Sequence, residues 1–156
     1  MKKLIKSFSV LLVSFALVGC GSKSANVELK EGLTAKDVVA KVEEKAPMQM
    51  PQEFDEQMAT DIAKLNLDDV EDYAITKAMI MNSADVAAVV EAKEGKVESV
   101  KATLQGMLDT EKNNAYLPDQ KEKIEKAILT EKGNYVILLI NADIKAAEEA
   151  VNECFE

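Results

Sequence analysis

The sequence predicts an α+β fold: an antiparallel four-stranded sheet made of two β-hairpins, packed with about three main helices. Three observations predict it. Tyr73 to Met81 and Val86 to Ala92 are apolar runs separated by a short break, Asn82-Ser83-Ala84-Asp85. Ala127 to Lys132 and Tyr135 to Asn141 form a second such pair around Gly133-Asn134, a good two-residue turn. Between the pairs, Val97, Val100, Leu104, Met107 and Leu108 recur at helical spacing.

The elements follow in order. Leu33 to Ala46 reads as a helix, with Thr34 as N-cap and Asp37 three residues on, an Asp version of the capping box. Val38, Val39, Val42 and Ala46 give it one apolar stripe, and Pro47 ends it. Residues 47–51 (PMQMP) are irregular. Glu53 to Leu65 reads as a short helix with Phe54, Met58, Ile62 and Leu65 on one side, and Asn66 to Asp72 as an acidic turn. The first hairpin follows. Lys96 to Asn113 is the clearest amphipathic helix. Pro118 sits in the first turn of a short helix running to about Lys126. YVILLIN is almost continuously apolar, as befits a central strand buried on both faces. Asp143 then caps a last helix with Ile144, Ala147, Val151, Cys154 and Phe155 on its buried stripe.

The N-terminus carries an address. Lys2, Lys3 and Lys6 precede an apolar run, Phe8 to Val18, too short for a spanning helix, which needs about 20 apolar residues. Leu17-Val18-Gly19-Cys20 looks like a bacterial lipobox. In such motifs the Cys thiol is alkylated by a diacylglycerol and the peptide is cut just before it; two acyl chains give stable anchoring. The expected organisation is a signal peptide over 1–19, a lipidated Cys20 with a flexible tether over 20–32, and one domain over 33–156. Twelve tether residues would span on the order of 20 Å as a coil. The expected location is extracytoplasmic, at the outer leaflet of the cell membrane.

Composition narrows the chemistry. With 47% hydrophobic and 30% charged residues the chain is globular, but only 4% aromatic, so the core must be aliphatic and Met-filled. The net charge is −9, and the basic leader hides a still more acidic remainder. Every basic residue is Lys. Without Arg, and with this charge, nucleic acid and anionic headgroups are poor partners. There is no His, hence no usual general base or metal ligand. If Cys20 is lipidated, Cys154 has no disulfide partner.

The chain resembles a family of small Gram-positive-type bacterial lipoproteins known only as a domain of unknown function, DUF4358. Asp69-Val70-Glu71-Asp72-Tyr73-Ala74, Val86 to Val89, Tyr116-Leu117-Pro118-Asp119-Gln120 and Lys132-Gly133-Asn134-Tyr135-Val136 carry the likeness, over about residues 34–156. It implies lipid anchoring, an extracytoplasmic location and one α+β domain, and it implies no activity.

Candidate sites are few. Tyr116, Asp119 and Gln120 lie at a break between helices, where a phenol, a carboxylate and an amide suit a ligand or partner; the structural alternative is a helix start, with Asp119 at its positive end. Asp68, Asp69, Glu71 and Asp72 are oxygen donors for a hard cation, but they lack the EF-hand ladder and central Gly, so a solvated turn is preferred and no metal is expected. Met48, Met50, Met79 and Met81 form two Met-x-Met pairs. Thioethers bind Cu(I), yet alternate Met residues also fill cores, and the core is expected. No nucleophile elbow, P-loop, dinucleotide fingerprint or zincin motif occurs. The expectation is a non-catalytic binding or interaction module at the cell envelope, without cofactor, for an unknown envelope protein or wall ligand. The alternatives are an accessory subunit of a membrane complex and a small carboxylate-based hydrolase.

Overall fold

The computed structural model describes residues 27–156. The leader and Cys20 lie outside the described residues. The architecture is α+β, built on a five-stranded sheet in which every pairing is antiparallel. Its strands are β1 (Pro51–Glu53), β2 (Val70–Ala78), β3 (Val86–Ala92), β4 (Ile128–Lys132) and β5 (Tyr135–Ile140), in the spatial order β1-β2-β3-β5-β4. Both expected hairpins are present, β2–β3 and β4–β5. They join through β3 and β5, with Val86 opposite Ile140 and Glu91 opposite Tyr135.

Helices cover both faces of the sheet. On one face lie α1 (Ala35–Lys45) and α5 (Ile144–Asn152), whose Val38, Val42, Ala147 and Val151 pack against Ala87, Val89, Ile137 and Leu139. The other face carries α2 (Glu56–Asp61), α3 (Val97–Asn114) and α4 (Pro118–Glu125). There Ala59, Val100, Leu104 and Ile124 meet Val86, Ala88, Val90, Val136, Leu138 and Ile140. Successive residues of β3 and β5 therefore alternate between two cores, which is why β5, and β3 as far as Val90, read as unbroken apolar runs. The small Ala87 and Ala88 keep the central strand thin enough for helices on either side.

Local chemistry sets the helix ends. Thr34 Oγ1 accepts from Asp37 N–H while the Asp37 carboxylate accepts from Thr34 N–H at 2.8 Å, completing the expected capping box. Asp143 Oδ1 caps α5 by accepting from Ala146 N–H at 3.2 Å.

Three expectations need correction. The sheet has a fifth strand: β1 pairs with the end of β2, Pro51 opposite Ala78. Its three residues are exposed, and Pro51 begins it at the sheet edge, where its missing N–H costs no ladder bond. Five helices are present rather than about three main ones. The expected helix from Glu53 shrinks to Glu56–Asp61, because Asp55 caps at Met58 N–H and Lys64 takes a positive φ of 60° just beyond. Ile62, expected on its apolar side, is 46% exposed.

Part of the stretch expected as tether is also fixed to the domain. Leu29 bridges Phe155, Lys30 N–H donates to the Cys154 carbonyl at 2.9 Å, and Glu156 N–H donates to the Glu28 carbonyl at 3.1 Å. Val27 and Leu29 pack against the α1/α5 core. This strap lies across the β4–β5 turn, where Gly133 has φ +57° and a Cβ would collide with the Val27 carbonyl oxygen. The strap, the C-terminus and the starts of α1 and α3 thus share one end of the sheet. The β2–β3 loop and the C-terminus of α3 share the other.

Candidate functional site

At the β2–β3 end, three segments converge on one corner. Beyond the Pro51–Ala78 pair, the Met79 N–H donates to the Met50 carbonyl at 3.1 Å, so the chain before β1 and the chain after β2 meet at these two residues. The third segment is the link from α3 to α4. Gln120, at the start of α4 and 3% exposed, ties it in. Its Oε1 accepts from Tyr116 N–H at 3.1 Å and from Leu117 N–H at 3.0 Å, and its Nε2 donates to the Met81 carbonyl at 3.0 Å. One amide side chain thus caps a helix and pins the hairpin loop.

Beneath this corner lies a buried polar node. Ser83 Oγ donates to Asp85 Oδ2 at 2.5 Å, and Lys123 Nζ stands 3.0 Å from each Asp85 oxygen. Its hydrogen bond is aimed at Oδ2, while Oδ1 has charge attraction without an aligned donor. Nearby, Lys77 and Glu111 form a second largely buried pair at 2.7 Å, fastening α3 to β2. Both cations are therefore used internally.

The surface over this node exposes several apolar side chains among uncharged polar ones. Met81 is 84% exposed, Met50 67% and Tyr116 58%; Met79 and Ile80 are exposed beside them. Residues 46–52, 78–84 and 113–118 contain no charged side chain, in a chain that is 30% charged. The expectation that the Met-x-Met pairs fill the core holds for Met48 alone. Met79 and Met81 fall just past the end of β2, where alternation no longer dictates an inward side, and Met50 has a positive φ of 49°.

The sequence-predicted residues separate here. Tyr116 belongs to the exposed corner and Gln120 to the support beneath it. Asp119 is exposed and lines a small cavity of about 130 Å³ with Glu122, Lys123, Lys126 and Asn141. Cys20 is outside the described residues. Sequence reasoning missed Met50, Met79, Ile80 and Met81 as surface, and Asp85 with Lys123 as their foundation. The signal was there: Met79-Ile80-Met81 is followed by Asn82-Ser83, a place where a strand ends rather than continues.

The opposite end is acidic. A groove of about 580 Å³ runs between the strap and the β4–β5 turn, with Glu28, Lys30, Glu31, Glu91, Glu98 and Glu131 in its lining. Burial and a hydrogen bond with Glu91 hold the Tyr135 phenol well above its usual pKa, so it stays a neutral donor there. The four acids expected as a turn are split among separate duties. Asp69 accepts from Ser99 Oγ and pairs with Lys96, whose hydrogen bond holds its carboxyl below the usual range. Asp72 Oδ2 accepts from Ala35 N–H at the start of α1, while Asp68 and Glu71 face outward. Among the described residues no group of three or more His, Cys, Asp or Glu is placed to hold a metal ion. Cys154 is buried, its thiol donating to the Ala150 carbonyl at 3.3 Å, and burial raises its pKa. No described helix is long and apolar enough to cross a membrane.

Comparison with known proteins gives one match. The family described as a domain of unknown function (DUF4358) matches residues 44–141. No curated protein and no solved structure matches the chain. The matched span includes all five strands and reaches from the end of α1 to Asn141, so the chain belongs to this family.

Proposed function

We propose that this DUF4358 protein is a non-catalytic interaction module, anchored through a diacylglyceryl-Cys20 to the outer face of the cell membrane. One observation carries the binding role: the uncharged corner formed by Met50, Met79, Ile80, Met81 and Tyr116 on a strongly acidic molecule. An exposed apolar patch costs solubility unless something covers it, and unbranched Met side chains adapt to a partner's shape. The node of Gln120, Asp85 and Lys123 ties the β2–β3 loop to the α3–α4 link, which lowers the ordering cost of binding. The anchoring rests on the basic leader, the short apolar run and the Leu17-Val18-Gly19-Cys20 motif.

Cys20→Ala in the full chain tests the anchor. The wild type should pellet with membranes and take up labelled fatty acid at Cys20; the variant should do neither. A variant that pellets as the wild type does would overturn the anchoring.

A further inference from the structure

All seven methionines but Met1 lie among the described residues, and they fall into two groups. Met48 is 9% exposed and Met107 6%, each packed in one of the two cores, and Met58 is partly buried. Met81, Met50 and Met79 are 84%, 67% and 49% exposed, and their side chains belong to neither core.

Main-chain groups hold the corner in shape. Met79 N–H donates to the Met50 carbonyl at 3.1 Å, Ser83 N–H to the Ile80 carbonyl at 3.2 Å, and Gln120 Nε2 to the Met81 carbonyl at 3.0 Å. None of these bonds uses a sulfur atom. Chemistry at Sδ of the three exposed residues therefore leaves the packing and the shaping bonds in place. At Met48 or Met107 the same chemistry would put a polar group into a core.

A thioether sulfur is a two-electron reductant. Its lone pair attacks one oxygen of a hydroperoxide. The O–O bond breaks as the S–O bond forms, and the proton on the transferred oxygen passes to the departing one. Sulfur is oxidised to the sulfoxide and the hydroperoxide is reduced to water or an alcohol. The step requires no general base, so the lack of His is no bar to it. The product carries a polar S–O group that water can hydrogen-bond, in place of an apolar side chain.

We propose that Met50, Met79 and Met81 form an oxidation site for hydroperoxides, at which sulfoxide formation replaces three apolar side chains of the corner by polar ones while the fold persists. Dithiol-dependent sulfoxide reductases restore the thioether, the dithiol being oxidised to a disulfide and the oxygen leaving as water, so the change is reversible. Exposure alone sets the site apart; neither the anchor nor a bound partner enters.

The test is limited hydrogen peroxide treatment of the full chain in detergent, with the added oxygen placed residue by residue by fragment-ion mass spectrometry. Met81 and Met50 should oxidise fastest and Met79 next. Met48 and Met107 should react at least about tenfold more slowly than any of the three, since a buried sulfur reacts only when its surroundings open. In denaturant the five rates should converge. Protein oxidised at 50, 79 and 81 should keep the thermal midpoint of the untreated chain. With methyl-labelled methionine, the Met48 and Met107 methyl resonances should stay in place while those of the exposed three move. The triple variant Met50→Leu/Met79→Leu/Met81→Leu, of similar side-chain volume, should keep the wild-type midpoint and leave Met58 as the fastest described site. Met48 or Met107 oxidising in the folded chain as fast as the exposed three would overturn the proposal, and so would a thermal midpoint that falls once those three are oxidised.

Discussion

Lys123 Nζ stands 3.0 Å from both carboxylate oxygens of Asp85, a residue only 3% exposed. The pair joins α4 to the start of β3 beneath the Met-rich corner. Taking two charges out of water is expensive, and the attraction between them roughly compensates; removing one partner leaves the other charge buried alone. Lys123→Met should therefore destabilise the domain by about 3–5 kcal/mol, whereas Asp85→Asn combined with Lys123→Met should recover a substantial part of that loss. Urea unfolding of the two variants and the wild type measures this. A loss below about 1 kcal/mol for Lys123→Met would mean that the pair behaves as a surface ion pair.

The strap gives a second prediction. Gly133 has φ +57° and no room for a Cβ, because the Val27 carbonyl fills that space. Gly133→Ala should expel residues 27–30 from the C-terminal segment while sparing the sheet. Amide exchange at Lys30 and Glu156, which donate to Cys154 and Glu28, should accelerate, and exchange at the Val89 and Ile137 amides of the central strands should not. Equal acceleration throughout would show that the strap holds the whole domain together.

Most of the sheet and the long helices are legible in the sequence because burial imposes periodicity on them. β5 is apolar throughout since it feeds two cores, and the Thr34–Asp37 capping box needs only two residues at fixed spacing. β1 escapes because three exposed residues at an edge bear no pattern. The strap escapes for another reason: Glu28, Leu29 and Lys30 are held by backbone pairing with the C-terminus, and long-range backbone bonds leave no local trace. At the candidate site, Tyr116 was legible as an aromatic in a helix break, while its exposure was not. Gln120 points inward because its amide satisfies backbone groups from two distant segments, a task set by tertiary geometry. The methionines show the limit of alternation, which assigns faces only while a strand lasts.

Cys154 supplies a chemical prediction. Its side chain is buried under α1 and α5, its thiol donates to Ala150, and burial raises its pKa, so little thiolate forms near neutrality. In the Cys20→Ala chain, where Cys154 is the remaining cysteine, a disulfide reagent at pH 8 should react only as fast as the C-terminal turn opens, and at once in denaturant. Fast native reaction would show that the turn at Asn152–Phe155 opens freely.

Acid should unfold the protein through its paired carboxylates. Hydrogen bonds from Lys41 and then Lys45 bring Glu153 from its ordinary 4.5 down to about 2. Lys96 and Ser99 lower Asp69, the Thr34 hydroxyl lowers Asp37, and Lys126 lowers Glu122. In each case the folded carboxyl is the stronger acid. Between about 4.5 and 2 the unfolded chain binds more protons than the folded one, so stability rises with pH there. The contribution of Glu153 is fully present above its ordinary pKa and is lost as pH falls toward 2. The urea midpoint should be flat from pH 7 to about 5 and then decline. Glu153→Gln should start lower at pH 7 and decline less steeply, because that variant no longer takes up the proton at position 153. High salt should reduce the difference between the two proteins at pH 7, since Glu153 sits half-exposed beside Lys41 and Lys45. Parallel acid limbs for the two proteins would place the acid sensitivity elsewhere, with Asp69 and its contacts to α3 the next pair to neutralise.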